Sequence, residues 1–330
     1  MKPKVFVTRP LPAAVIDMLA AACEVQVHPA DIALKPAQLA EACREVEGLL
    51  AVGVRVNEEV LSQAGRLRVV ANCGVGYDHI DVEACTRRKI VVTNTPGVLT
   101  DTTADLAFAL LLAVARRVVE GDKFVRAGRW ERWEFGMMWG ADVHHKTLGV
   151  WGFGRIGQAV ARRGRGFEMN NLYHSRRRAN PGMEVELAAR LVDRETLLRE
   201  SDFLSLHVPY SADTHHLVGA REFALMKPSA FLINTARGKV VDEEALVAAL
   251  KSKTIAGAGL DVFEHEPHLH PELAKLHNVV LLPHVGSATG ETRLKMATLA
   301  AENLLAALDG RRTQCRQSRN LFVNWNTTSK

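Results

Sequence analysis

Short apolar runs recur along this chain, each closed by glycine or polar residues and followed by a stretch whose apolar positions fall three or four apart. Runs of that kind read as buried strands, and the stretches between them as helices. Lys4 to Arg9 and Glu24 to His28 predict the first two strands, with a helix from Ala13 to Ala22 between them. Lys35 to Glu45 predicts a helix whose first turn suits Pro36. Gly48 to Val52 follows as a strand, then a helix from Glu58 to Gln63 that Asn57 can cap. Strands at Leu67 to Asn72 and Ile90 to Asn94 flank a glycine turn, Cys73-Gly-Val-Gly-Tyr-Asp-His-Ile-Asp81, and a short helix. This unit closes at Thr95-Pro-Gly97.

Thr100 to Arg126 is the longest apolar-periodic stretch and predicts one continuous helix, with Leu106, Leu110 and Val114 on one stripe. Residues 127–145, rich in Trp and Met, read as a connecting excursion. Strands are then expected at Leu148–Trp151, Asn171–His174, Phe203–His207, Ala230–Asn234, Gly257–Asp261 and Val279–Leu282, separated by helices. That alternation predicts an α/β fold with a doubly wound parallel sheet. A last helix from Glu291 to Leu308 returns toward the first unit. The expected organisation is a dinucleotide-binding domain, residues 99–288, inserted into a smaller flavodoxin-like substrate domain built from 1–98 and 289–330.

Within the second unit, Leu148 to Trp151 runs into Gly152-Phe-Gly-Arg-Ile-Gly157, a G-x-G-x-x-G between a strand and a helix. That context makes the motif a dinucleotide fingerprint. Gly152 permits the tight turn, Gly154 lets the backbone approach a pyrophosphate, and Gly157 lets the helix pack on its strand. The helix N-terminus then offers N–H groups and a positive dipole end to the phosphates. At the end of the following strand an acidic residue would bind the ribose 2′-hydroxyl, whereas arginine pairs with a 2′-phosphate. Here the chain reads Tyr173-His-Ser-Arg-Arg-Arg178, with no carboxylate. Ser175 with Arg176 or Arg177 can grip a phosphate, so the expected cofactor is NADPH, with NADH as the lesser alternative.

Three further strand ends carry polar residues: Ile233-Asn-Thr-Ala-Arg-Gly-Lys239, Leu260-Asp-Val-Phe-Glu-His-Glu-Pro267 and Leu282-Pro-His-Val-Gly-Ser-Ala288. Ligands of open α/β sheets bind at such ends. The planar fork of Arg237 can pair with a carboxylate. His284 can pass a proton to a carbonyl oxygen as hydride reaches its carbon, and a nearby carboxylate would favour the imidazolium form.

Composition narrows the classes. The 330 residues are 47% hydrophobic and 24% charged, ordinary for a globular chain with a full core. No apolar run approaches a membrane span, and the first residues start a strand without a signal-peptide core, so a cytoplasmic protein with no membrane partner is expected. The net charge of +5 sits in Arg162-Arg163-Arg165, Arg176-Arg177-Arg178 and the tail from Arg311 to Arg319. No aromatic interleaving accompanies these clusters, which argues against nucleic acid. Five cysteines, Cys23, Cys43, Cys73, Cys85 and Cys315, form no C-x-x-C pair and read as reduced thiols, with no disulfide framework and no metal site.

From about residue 4 to 310 the chain resembles the D-isomer-specific 2-hydroxyacid dehydrogenase family, most closely its glyoxylate/hydroxypyruvate reductase branch. The likeness is carried by Gly74-Val-Gly-Tyr-Asp-His-Ile-Asp81, Thr100-Asp-Thr-Thr-Ala-Asp105, the glycine fingerprint, Thr235-Ala-Arg-Gly238, Asp261-Val-Phe-Glu-His-Glu-Pro267 and Pro283-His-Val-Gly-Ser-Ala-Thr289. The resemblance implies that Arg237 orients the substrate, that His284 is the general acid/base, and that Glu266, rather than Glu264, pairs with it. It implies backbone binding of the substrate carboxylate by Val75 and Gly76, with Val52 nearby. Thr103 would lie by the nicotinamide and Asp261 would bond its carboxamide, while His207, Val208 and Pro209 would line the adenosine side. Further cofactor contacts are implied for Phe153, Arg155 and Ile156, and for Thr214, Thr235, Ala236, Arg237, His284 and Gly286.

The resemblance also implies a homodimer joined through the dinucleotide domains, and reduction of glyoxylate to glycolate and of hydroxypyruvate to D-glycerate. Trp139 lies near where relatives send an aromatic residue into the partner's site. The tail after Arg311 lacks the proline-rich finish of the branch. Two rivals share the fold: a 3-phosphoglycerate dehydrogenase, disfavoured by the arginine turn and by the expectation of no regulatory domain after residue 310, and a dinucleotide-sensing, corepressor-like binding protein.

Overall fold

A computed structural model describes residues 1–311 and residue 313; Cys315 and the tail beyond residue 313 lie outside the described residues. In chain order the elements are β1 (Lys4–Val7), α1 (Ala13–Ala22), β2 (Glu24–Val27), α2 (Pro36–Ala42), β3 (Gly48–Ala51), α3 (Glu58–Gln63), β4 (Val69–Asn72), α4 (Val82–Arg87) and β5 (Val91–Thr93). They continue with α5 (Thr100–Ala115), α6 (Val118–Arg126), β6 (Thr147–Trp151), α7 (Arg155–Gly166), β7 (Asn170–His174), α8 (Pro181–Glu186), β8 (Ala189–Leu191), α9 (Arg194–Glu200) and β9 (Phe203–Leu206). The last are α10 (Ala220–Leu225), β10 (Phe231–Asn234), α11 (Glu243–Lys251), β11 (Gly257–Leu260), β12 (Val279–Leu281) and α12 (Gly290–Leu308).

These elements form two compact units, one from Met1–Leu99 with the segment from Ala288, the other from Thr100–Ser287. The first holds a five-stranded sheet ordered β2-β1-β3-β4-β5, whose ladders are all parallel. This is the flavodoxin-like order, with its switch point between β1 and β3. Val5, Val7, Leu50, Val69 and Ala71 point to one face, where Leu19 of α1 and Ala297, Ala301 and Leu304 of α12 bury them. Leu49, Val70, Leu39 and Leu61 fill the other face. Asn57 and Asp81 cap α3 and α4, accepting the N–H of Val60 at 3.3 Å and of Ala84 at 2.8 Å.

The second unit holds seven parallel strands in the order β12-β11-β10-β9-β6-β7-β8. Its strand order reverses between β6 and β9, the doubly wound arrangement whose switch point opens a ligand crevice at the strand ends. One core packs Leu172, Leu204, Leu232, Leu246 and Leu260, and the opposite face packs Phe108, Leu111, Val150, Tyr173 and Ile233.

Three expectations are corrected. The helix expected over Thr100 to Arg126 breaks into α5 and α6 at Arg117, whose φ is +54°. The excursion passes so close that a Cβ on Gly140 would lie 2.4 Å from the Ala115 carbonyl oxygen. Ala141 N–H donates to that oxygen at 2.8 Å, taking the acceptor a continuing helix would use. The helix expected to reach Glu45 ends at Ala42, because Cys43 and Arg44 close tighter turns onto Ala40 and Glu41. The short strand β8 was not expected; its three residues, Ala-Arg-Leu, show no apolar run. No helix among the described residues is long and apolar enough to cross a membrane.

Candidate active site

The glycine fingerprint folds as strand, turn and helix. Gly152 follows β6 with φ +97°, and a Cβ there would lie 2.6 Å from the carbonyl of His207. A Cβ at Gly157 would lie 2.1 Å from the Gly152 carbonyl oxygen. Only glycine allows these two approaches, which bring the start of α7 over the strand end. At Gly154 a Cβ would meet nothing within 4 Å, and α7 begins there with no side-chain cap. An open, uncapped helix start beside a glycine fits a pyrophosphate. Phe153 is buried and stacks on Tyr173, with ring centroids 3.9 Å apart, so it can meet a cofactor only through its backbone.

The neighbouring strand ends complete this cradle. Burial pushes the His207 imidazole down to about 3, so it is neutral at ordinary pH, and its Nε2 lies 2.8 Å from Ser205 Oγ. Val208 and Pro209 follow, and Thr214 closes their turn by donating its hydroxyl to the Pro209 carbonyl at 2.8 Å. After β7, Arg178 is tied to Glu184 at 2.9 Å, and Tyr173 bonds the same carboxylate. Arg176 and Arg177 are exposed and pair with no carboxylate among the described residues. The Thr235 hydroxyl is buried and has no hydrogen-bond partner among the described residues, a polar atom that a bound ligand would satisfy.

The three polar strand ends of this unit converge in a chain of hydrogen bonds. Asp261, at the end of β11, accepts the N–H of Val285 and of Gly286, each at 2.7 Å, while His284 N–H donates to the Asp261 carbonyl at 2.9 Å. Burial raises the Asp261 carboxyl, and those two N–H groups partly oppose the rise. A Cβ on Gly286 would lie 3.5 Å from the methyl of Thr103, which is buried at the start of α5. The resulting turn holds His284 at φ +55°. His284 Nδ1 lies 2.7 Å from Glu266 Oε2, and Glu266 Oε1 accepts the Phe263 N–H at 3.0 Å.

Because the carboxylate only accepts, the shared proton belongs on Nδ1, and Nε2 is the ring nitrogen left for a substrate. Burial pushes the Glu266 carboxyl up, but the His284 hydrogen bond and charge, the Phe263 N–H and the nearby Arg237 outweigh it and hold it below the usual carboxylate range. Glu264 turns away and meets His216 Nε2 at 2.7 Å. Arg237 follows β10, where buried Asn234 accepts the Ala236 N–H and donates to the Arg237 carbonyl, both at 3.0 Å. The Arg237 guanidinium donates to the Ala236 carbonyl at 2.8 Å.

In the other unit, the loop after β4 is held by its carbonyls. Asn72 Nδ2 donates to the carbonyls of Gly74 and Gly76 at 3.1 and 2.8 Å, and Asn94 Nδ2 donates to that of Val75 at 2.9 Å. The N–H groups of Val75 and Gly76 have no protein partner among the described residues, the polarity a carboxylate requires. Val52 is fixed by its N–H to Thr8 Oγ1 at 2.9 Å and by its carbonyl to Arg9 Nε at 3.2 Å. Asn72, Asn94, Asn234 and Ser205 were not singled out in the sequence; each is a polar residue inside an apolar strand run or just past one, the signal that would have found them.

The segment 108–286 matches the family described as D-isomer specific 2-hydroxyacid dehydrogenase, NAD binding domain. The chain belongs to this family. The dehydrogenase is 55% identical over 315 residues to the glyoxylate reductase of Thermococcus litoralis, covering 94% of this chain and 95% of the relative. It is 52% identical over 311 residues to that of Pyrococcus furiosus, covering 93% and 92%. Among solved structures, the NADPH-dependent glyoxylate/hydroxypyruvate reductase of Sinorhizobium meliloti, in complex with NADP and malonate, superposes with a TM-score of 0.84 at 36% identity, covering 93% of this chain and 94% of that one. The dehydrogenase is thus an NAD(P)-dependent oxidoreductase.

Proposed function

We propose that this dehydrogenase is an NADPH-dependent reductase of glyoxylate and hydroxypyruvate, giving glycolate and D-glycerate. The observation that carries the reading is the Glu266–His284 pair, 2.7 Å apart, beyond the C-terminal strand ends of the same parallel sheet as the glycine cradle. The identity to glyoxylate reductases supports the substrate class. The two uncommitted arginines, Arg176 and Arg177, support NADPH, with Ser175 beside them.

The nicotinamide cofactor, when bound, supplies the hydride that reduces C2 of the keto acid. His284 gives its Nε2 proton to the C2 oxygen, and Glu266 holds the ring by its Nδ1. Arg237 pairs its fork with the substrate carboxylate and steadies the carbonyl oxygen. The N–H groups of Val75 and Gly76 bind that carboxylate, with Val52 alongside. Gly152 to Gly157 take the pyrophosphate, Thr103, Thr235, Ala236, Asp261 and Gly286 the nicotinamide end, and His207, Val208, Pro209 and Thr214 the adenosine end.

The same reading makes the protein a cytoplasmic homodimer. Buried free thiols such as Cys43 and Cys85, which burial pushes up to about 12, are at home in a reducing compartment. The exposed Trp130, Trp133, Phe135 and Trp139 cluster on the excursion of the second unit and suit a second copy.

Initial rates with glyoxylate, at matched NADPH and NADH, test the proposal; no turnover with either would end it. Arg237→Ala should lose turnover by about 100-fold or more while still binding NADPH. Unchanged turnover removes Arg237 from the mechanism.

A further inference from the structure

Glu243 is a buried carboxylate outside the reacting set, and its position links two of the segments just described. It is the first residue of α11 and is 6% exposed. Neither oxygen is used within its own helix, whose cap is supplied by Asp242 accepting the Ala245 N–H at 3.0 Å. Instead Oε1 accepts the backbone N–H of Glu264 at 2.6 Å and Oε2 accepts that of His270 at 3.1 Å. Those two peptides stand on either side of Glu266, so one carboxylate clamps both feet of the loop that presents it.

The feet are each tied a second time. The Glu264 side chain bonds His216, and the His270 ring bonds Glu244 at 2.9 Å. The turn leading into α11 also presses on this loop, since a Cβ on Gly238 would lie 1.8 Å from the Phe263 carbonyl carbon. Arg237 and Glu266 are therefore set by one rigid block. No Lys, Arg or His side chain pairs with Glu243 among the described residues. A buried carboxylate without a cation is costly unless its hydrogen bonds need an acceptor-only group. Two inward-pointing N–H groups are that need, and the start of a helix favours the charge.

We propose that Glu243 is a positioning residue for the proton-transfer pair: by clamping residues 264 and 270 it sets the reach of Glu266 to His284. The proposal rests on the reading that His284 gives the proton. Besides His284, the charged groups facing Glu266 are Arg237 and Asp261. Glutamine at 243 keeps the shape but offers one acceptor where two N–H groups point, so one foot of the loop is released.

The test uses the full-length enzyme with NADPH and glyoxylate, comparing wild type, Glu243→Gln, Glu243→Asp, Glu266→Gln and the Glu243→Gln/Glu266→Gln double variant, with kcat/KM followed across pH. The alkaline limb of that profile reports on the proton given up in reduction, and a variant that disturbs the Glu266–His284 contact displaces it. Expected for Glu243→Gln is a loss of about tenfold in kcat, with KM for NADPH within about twofold and the alkaline limb displaced in the same direction as in Glu266→Gln. The double variant should be no slower than Glu266→Gln alone, because residues acting through one another do not add.

A fall in melting temperature with an unmoved limb, or a double variant slowed by the product of the single effects, overturns the proposal. If Glu243→Gln does not fold, Glu243→Asp, which keeps both acceptors on a shorter arm, must show the same displaced limb; an unmoved limb there also overturns it. A Glu266→Gln enzyme with an unchanged profile defeats the reading of His284 itself, a result distinct from one confined to Glu243, and takes this proposal with it.

Discussion

Removing both arginines after β7 should separate the two nicotinamide cofactors. Arg176 and Arg177 lie exposed just beyond the strand end, and Arg178 is held by Glu184. A hydrogen bond to a charged partner contributes about 1.5–3 kcal/mol, and solvent exposure reduces that to roughly 1–2 kcal/mol for each arginine. At about 1.4 kcal/mol per decade, Arg176→Ala/Arg177→Ala should lose roughly 100-fold in kcat/KM for NADPH. NADH has no 2′-phosphate and should stay within about twofold. The assay is initial-rate oxidation of each cofactor with saturating glyoxylate, at low and raised ionic strength. Screening should raise KM for NADPH in the wild type and leave the double variant nearly flat. Arg178→Ala is the internal comparison, and its cofactor ratio should move by less than about threefold. Equal losses for NADPH and NADH in the double variant, or an unmoved ratio, would refute the phosphate site.

Asn171 lies in the core of the second unit, where its Nδ2 donates to the carbonyls of Ala161 and Leu187 at 2.9 and 2.8 Å. Asn171→Leu strips both acceptors and should destabilise the protein by about 2–3 kcal/mol in urea unfolding; a loss below about 0.5 kcal/mol would show those bonds to be dispensable. Because Glu266 is held below its unfolded range, its contribution to stability is present above the unfolded value, about 4.3, and fades as pH falls through the folded one. The stability gap between wild type and Glu266→Gln should therefore shrink as pH is taken from 6 toward 3, and a gap independent of pH would contradict the assignment.

What was legible in the sequence was what local chemistry decides. The glycine turn between β6 and α7, the Asn57 cap, and the strand-helix alternation depend on a few adjacent residues. The break between α5 and α6 was not legible, because it is made by Gly140 and Ala141 reaching the Ala115 carbonyl from a distant stretch. The strand β8 escaped for another reason: with one exposed arginine in three residues, it owes its existence to its neighbour β7. At the site, residue types at strand ends pointed to Arg237 and His284, but spacing could not choose between Glu264 and Glu266. Their directions are set by the turn from Asp261 to Pro267 and by the partners His216 and His284. Glu243 escaped notice because acidic residues are common in the first turn of a helix, and only the fold reveals that its oxygens leave that helix.

The discontinuous first unit has a consequence for biosynthesis. Its five strands are complete by Thr93, yet α12, which covers Val5, Leu50 and Val69, begins at Gly290. At roughly 5–20 residues per second, a ribosome delivers that helix about 10–40 s after the last strand it must cover. Meanwhile the segment from Thr100 to Ser287 is continuous and emerges with both faces of its own core. The nascent chain is thus expected to hold a finished second unit and an unfinished first one, and the interval when Leu50 and Val69 lie bare is when a holdase would find this protein.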